Sequence, residues 1–310
     1  MDNMVPVISR LTLGTVQLGL NYGIANKAGQ PDQSKSFGIL DAALEAGINT
    51  LDTAYDYGNA EVVIGEYLKV KAERPLLNIV SKFRIEQGHV GKIDLIRRDV
   101  HNKVRKSLAD LGIEKIPIYL FHQSKDQPLE IMEESISLIL GELKSEGLIG
   151  KGGISVDRPV NMDLIINNNS FECVQVPINI FDQKLIKDHT LVELKKKNKI
   201  VFARSIFLQG LFFLEPGLLT GNLNQAEIYL KSLRLLAEKS GLTVAQLAFS
   251  FVRDLEGITS LIFGAERIEQ VHQNVQLLGI PELSEEVRVN ASKLFEDMPE
   301  EIITPRLWQP

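Results

Sequence analysis

LDTAYDYGNAE, residues 51–61, decides how this chain is read. Residues 48–54 have the pattern of a short buried strand, and Tyr55, Asp56, Tyr57, Gly58 and Asn59 have the composition of a tight turn at its end. Asp52 therefore sits at a strand end, and Tyr57 on the loop that follows. Two such side chains can be aimed into one pocket. A phenol titrates near ~10, so using it as a proton donor at neutral pH calls for a cation that stabilises phenolate. Lys82, near the end of the next apolar run, LLNIVSKF, is the candidate.

Working outward, residues 8–19 read as a strand running into a loop rich in Gly, Asn and Tyr. Residues 34–47 carry Phe37, Leu40, Ala43 and Leu44 at helical spacing, closed by Gly47. Helices are expected over 61–70, 93–111, 128–146 and 162–166, alternating with strands over 77–83, 116–122 and 150–156. The second half repeats the scheme, with strands over 171–178, 200–206 and 259–264 and helices over 183–197 and 268–278. Residues 207–224 form a long Leu-, Gly- and Phe-rich loop, followed by two more helices over 225–240 and 243–254. Long loops are usually functional.

Eight short Val- and Ile-rich strands separated by helices, at intervals of roughly forty residues, argue for a parallel α/β sheet closed as a (βα)8 TIM barrel in a single domain, 1–310. An open dinucleotide-binding sheet would carry G-x-G-x-x-G after its first strand, and none is there.

Composition narrows the function. The 310 residues carry a net charge of −6 with no basic stripe, which argues against nucleic acid; the cationic run 195–199 reads as a solvated helix end. The single cysteine, Cys173, lies in an apolar strand pattern, so neither a disulfide framework nor a cysteine metal site is expected, and a reducing cytoplasm fits. No apolar run approaches ~18 residues and no leader pattern opens the chain, so no membrane association is expected.

In a parallel barrel the polar residues at the C-terminal ends of strands face the active site. Asp52, Lys82 and His122 end the second, third and fourth strands, with Tyr57 just beyond. Singly, each has an ordinary reading as a cap, a snorkelling lysine or a hydrogen-bonded core histidine. Together at one barrel mouth they point to catalysis.

The chain resembles the aldo-keto reductase superfamily over nearly its whole length. LGTVQLGLNYG (13–23) is similar to the family's first-strand motif, and LDTAYDYGNAE to the signature around its catalytic Asp and Tyr. SKF and LFHQS resemble its Lys and His strands. GLIGKGGIS (147–155), VQVPIN and FGAERIEQVHQN (263–274) match the fifth-strand, sixth-strand and cofactor-binding eighth-strand motifs.

The resemblance implies NAD(P)H-dependent carbonyl reduction or its reverse, without a metal. Tyr57 would be the general acid, Lys82 the cation lowering its pKa, Asp52 the partner of Lys82, and His122 the group orienting the carbonyl. For the cofactor it implies Gly14 and Thr15 after the first strand, Asp52, Ser155 and Gln175 at the carboxamide end, Arg204 against the nicotinamide, and Ser205 and Gln209 along the pyrophosphate. Gly264, Glu266, Arg267, Gln270 and Asn274 would meet the adenosine. Extra helices and a C-terminal tail would cover the mouth, with Tyr22, Phe83, Phe181, Phe207 and Trp308 as candidate pocket walls. The substrate would be a small carbonyl compound or sugar, and the oligomeric state stays open.

Two departures stand out. Arg204 replaces the aromatic ring usual against the nicotinamide. Around Glu266 the only cation left for an adenosine 2′-phosphate is Arg267, so NAD(H) stands beside the NADP(H) of family habit. Two alternatives also remain: an NAD-dependent aldose dehydrogenase working oxidatively, and a non-catalytic nucleotide-sensing subunit.

Overall fold

The computed structural model describes residues 7–72, 75–124 and 127–309. Eight parallel strands close on themselves in chain order: β1 (Leu11–Gly14), β2 (Thr50–Asp52), β3 (Asn78–Phe83), β4 (Ile116–His122), β5 (Ile149–Ser155), β6 (Cys173–Pro177), β7 (Ile200–Arg204) and β8 (Ser260–Gly264). The register aligns Gly14 with Asp52, His122 with Ser155, Ser155 with Gln175, and Pro177 with Arg204.

Alternation along these strands sorts the side chains into layers. Val80, Ile118, Leu120, Cys173 and Phe202 pack as a small cluster inside the barrel, separate from the large core between strands and helices. Two residues further along the same faces come Lys82, His122, Gln175 and Arg204. The pleat that buries one layer of apolar residues therefore lifts the next, polar layer to the C-terminal mouth.

The helices form where apolar spacing and end signals agree. Ile93–Leu111 buries Ile96, Val100, Val104, Leu108 and Leu111 on one face, and Gly112 ends it in the left-handed conformation, φ 61°. Val244–Arg253 starts with a capping box, in which Gln246 N donates to Thr243 Oγ1 (3.2 Å) and Thr243 N to Gln246 Oε1 (2.8 Å).

Several elements differ from the sequence reading. The helix expected over 183–197 is two short ones, Lys184–Lys187 and Thr190–Lys196, because His189 takes φ 54° between them and breaks the ladder. Residues 16–19, expected as part of the opening strand and loop, form a helical turn. A further helix, Glu285–Leu294, follows the last one expected; its Ser284 cap, accepting from Val287 N at 3.3 Å, and its first-turn Glu285 and Glu286 are readable signals that the amphipathic pattern alone did not reveal.

Candidate active site

The loop carrying Tyr57 is set by a backbone approach that only glycine allows. Gly58 has φ 58°, and a Cβ there would come within 2.2 Å of the Gly19 carbonyl oxygen; a Cβ on Gly19 would come within 1.9 Å of the Tyr57 carbonyl oxygen. The next helix, Ala60–Val70, is fixed by Glu61, whose buried carboxylate accepts from Ser81 Oγ on β3 (2.5 Å) and Ser107 Oγ (2.8 Å). Ser81 and Lys82 are neighbours on opposite faces of β3, so the bond that anchors the helix outside also locates the lysine inside.

Lys82 Nζ lies 2.8 Å from Asp52 Oδ1, donates to Thr53 O (2.7 Å), and sits 4.8 Å from the centroid of the Tyr57 ring. Lys82 is fully buried. Gln175 Nε2 donates to Asp52 Oδ1 (2.6 Å), and Ser155 Oγ donates to Gln175 Oε1 (2.9 Å), so one chain of bonds joins β5, β6, β2 and β3. The His122 ring stands edge-on to Tyr57, centroids 6.4 Å apart.

The electrostatics of the phenol depart from the expectation. Burial pushes the Tyr57 hydroxyl up; Lys82 pulls it down as expected, yet Asp52 opposes the lysine and the group stays above its ordinary value. Tyr57 is therefore protonated at neutral pH. Burial lowers Lys82, and Asp52 and Tyr57 more than restore it, so the ammonium stays charged. Burial, then Arg84, Lys82 and Arg204, hold His122 well below the usual imidazole value, so its ring is neutral.

These side chains open onto a cleft of about 580 Å³. It runs from Asp52, Tyr57 and His122 past Gly14 and Gln175, along Arg204, Ser205 and Gln209, to Gly264, Glu266, Arg267 and Gln270. Residues 303–306 of the C-terminal segment border it as well. Thr15, Ser155 and Asn274 do not border it: Thr15 is buried, donating N–H (2.8 Å) and Oγ1 (3.0 Å) to Asp52 O, Ser155 reaches it only through Gln175, and Asn274 Nδ2 is turned to Gln270 O (2.8 Å). Lys82 lies beneath Tyr57.

The expected pocket walls divide. Tyr22 and Phe207 line the cleft. Phe83 instead stacks on Tyr119 at 4.9 Å, and Phe181 packs against Phe212 and Phe295, all in the core. Trp308 turns back on its own segment, donating Nε1–H to Ile302 O (3.0 Å).

The cleft fits an extended dinucleotide. Gln17 Oε1 is buried beside it with no partner among the described residues, and the Gln17 amide packs so closely on Gly264 that a Cβ there would come within 2.2 Å of its Nε2. After β7, Ser205, Leu208 and Gln209 all take left-handed φ (61°, 48° and 53°), a strained run of a kind that clusters at ligand clamps. Arg204 is turned away from open solvent: its Nη2 donates to Val156 O (2.8 Å) and lies 3.5 Å from Asp157, which also pairs with Arg306 at 2.6 Å. At the far end Gln270 Oε1 accepts from Glu266 N (2.8 Å) and Arg267 N (3.1 Å), while Gln270 Nε2 donates to Glu266 Oε1 (3.0 Å). The Glu266 carboxylate is thus held in place at the rim.

A family model, the Aldo/keto reductase family, matches residues 10–291. The chain belongs to that family. It is similar to the NADH-specific methylglyoxal reductase of Escherichia coli (strain K12), 29% identical over 311 residues that cover 88% of this chain and 90% of the relative. Among solved structures it is similar to aldo-keto reductase AKR11C1 from Bacillus halodurans in its holo form, with a TM-score of 0.72, 26% identity and coverage of 96% and 95%. An aldo-keto reductase from Klebsiella pneumoniae in complex with NADPH matches with a TM-score of 0.67, 26% identity and coverage of 94% and 93%. This aldo-keto reductase is an NAD(P)-dependent oxidoreductase acting on small carbonyl compounds.

Sequence reasoning passed over Arg84 and Asp157, although both follow a chosen residue by two, Lys82 and Ser155, and so point to the same mouth by strand alternation. Among the described residues no three His, Cys, Asp or Glu are grouped to hold a metal, and no helix is long and apolar enough to cross a membrane.

Proposed function

We propose that this enzyme reduces a small aldehyde or ketone to an alcohol, with Tyr57 as general acid. The observation that carries the reading is the buried Lys82–Asp52 pair, 2.8 Å across, with its ammonium 4.8 Å from the Tyr57 ring. When bound, the nicotinamide supplies hydride to the carbonyl carbon. Tyr57 donates its proton to the oxygen as charge develops there, and Lys82 stabilises the phenolate left behind. Asp52 keeps the lysine charged and in place, Gln175 keeps Asp52 in place, and His122 borders the same oxygen as a neutral ring.

For the dinucleotide, Ser205 and Gln209 would run beside the pyrophosphate and Glu266 would accept from a free ribose 2′-hydroxyl. A carboxylate fixed there repels a 2′-phosphate, which supports use of NADH; the NADH-specific relative supports the same reading, and the NADPH complex of the Klebsiella neighbour supports NADPH as the other donor, with Arg267 as its cation.

Nicotinamide absorbance followed with a panel of aldehydes, ketones and aldoses, in both directions and with both cofactors, tests the reading. Faster reduction than oxidation, dependent on Tyr57, is expected. Faster oxidation of an aldose would make the enzyme an aldose dehydrogenase, and cofactor binding without turnover would make it a sensor.

A further inference from the structure

Arg84 lies just past the end of β3, at the edge of the cleft, and the mechanism above leaves it unused. Its Nε donates to Asp56 Oδ2 at 2.5 Å, and its Nη2 lies 3.3 Å from Nε2 of His122. A guanidinium only donates, so Nε2 accepts and the imidazole proton resides on Nδ1. Nδ1 is buried, has no hydrogen-bond partner among the described residues, and faces Asp56 Oδ1 at 4.0 Å. The opposite tautomer would set Nε2–H against a guanidinium N–H and the bare Nδ1 lone pair against a carboxylate. Both contacts are repulsive.

His122 therefore does not offer its proton to a carbonyl oxygen in this arrangement. The donor beside His122 on the wall of the cleft is Arg84. Of the five N–H bonds of a guanidinium, one is used on Asp56 and one on His122. Three remain, two on Nη1 and one on Nη2, and paired guanidinium N–H bonds match a pair of carboxylate oxygens.

We propose that Arg84 is a substrate-binding residue that selects carbonyl compounds carrying a carboxylate on the carbon next to the reacting one, that is, 2-oxo acids. Asp56 anchors the guanidinium and His122 steers it, so the charge is held beside His122 on the cleft that Tyr57 also lines. The carboxylate and carbonyl oxygens of a 2-oxo acid are separated by two carbons, the span at which one arginine meets both. Arg204 is less suited to this task, being committed to Val156 O and sharing Asp157 with Arg306.

The inference rests on the carbonyl reductase reading, and its test separates the two. Pyruvate and hydroxyacetone have the same methyl ketone and differ in carboxylate against hydroxymethyl. kcat/KM for each, with NADH, is measured for the wild type, Arg84→Gln and Arg84→Lys, with fluorescence titration of NADH on the same preparations to report that each variant keeps its folded cleft. The wild type is expected to prefer pyruvate, and Arg84→Gln to lower the pyruvate-to-hydroxyacetone ratio about 10- to 100-fold, the worth of a hydrogen bond to a charged group. Arg84→Lys, which keeps the charge and loses the fork, should fall between. Equal losses on both ketones, an unchanged ratio, or aldehyde turnover with no pyruvate turnover would each overturn the role of Arg84 while leaving the reductase reading intact. No Tyr57-dependent turnover of any carbonyl compound would remove both.

Discussion

Lys82 Nζ lies 2.8 Å from Asp52 Oδ1, and the lysine has no contact with solvent. A cation in that position survives because the carboxylate and the Thr53 carbonyl oxygen replace its water, and in the proposed mechanism it serves through its other neighbour, the Tyr57 ring.

Asp52→Asn removes the countercharge and leaves a buried ammonium unpaired. Such a break costs about 3–5 kcal/mol, read as a shift in the denaturant midpoint at constant slope. Asp52→Asn combined with Lys82→Met should recover most of that stability and none of the reductase activity. A single Asp52→Asn variant as stable as the wild type would show that the pair is not what holds Lys82.

Glu61 gives a pH signature of stability. Burial holds its carboxyl above the ordinary value of 4.5, against the two serine hydroxyls that lower it. A raised folded-state value means that the folded protein binds the proton more readily, so its contribution is fully present below 4.5 and is lost as pH rises through the folded value. Glu61→Gln keeps the shape and removes the titration. Denaturation across pH 4–8 should show the wild type losing ground to the variant as pH rises; a constant difference would contradict the sign.

Glu266→Lys places a cation where a bonded carboxylate now stands. NADPH should gain on NADH by roughly 1 kcal/mol or more, the scale of a charge-assisted hydrogen bond. The ratio of dissociation constants checks it. A wild type strongly selective for NADPH, with Glu266→Lys silent, would place the adenosine elsewhere.

Much of this arrangement is legible in the sequence, for a physical reason. Strands of β1 to β8 alternate with period 2, so Asp52, Lys82 and His122 reveal both their strand ends and their shared orientation, Asp52 and His122 bordering the cleft and Lys82 just beneath Tyr57. What period and composition do not carry is the balance of opposing terms. That Lys82 acts on Tyr57 is readable; that burial and Asp52 outweigh it is a matter of depth and distance. Phe83 is expected among the pocket walls, but its adjacency to Lys82 on the strand puts it on the opposite face, against Tyr119. Arg84, one step on, returns to the mouth. The direction of the Trp308 ring depends on a bond to Ile302 O within its own tail, which no spacing announces.

The account stands most directly on the hydroxyl of Tyr57. Tyr57→Phe retains the ring over Lys82 and removes only the proton donor. Measured on one preparation, steady-state reduction of the best carbonyl substrate should fall by about three orders of magnitude or more, since general acid catalysis contributes up to ~10⁴-fold, while NADH titration gives a dissociation constant close to that of the wild type. A Tyr57→Phe enzyme that reduces the same substrate at near wild-type rate would contradict the account.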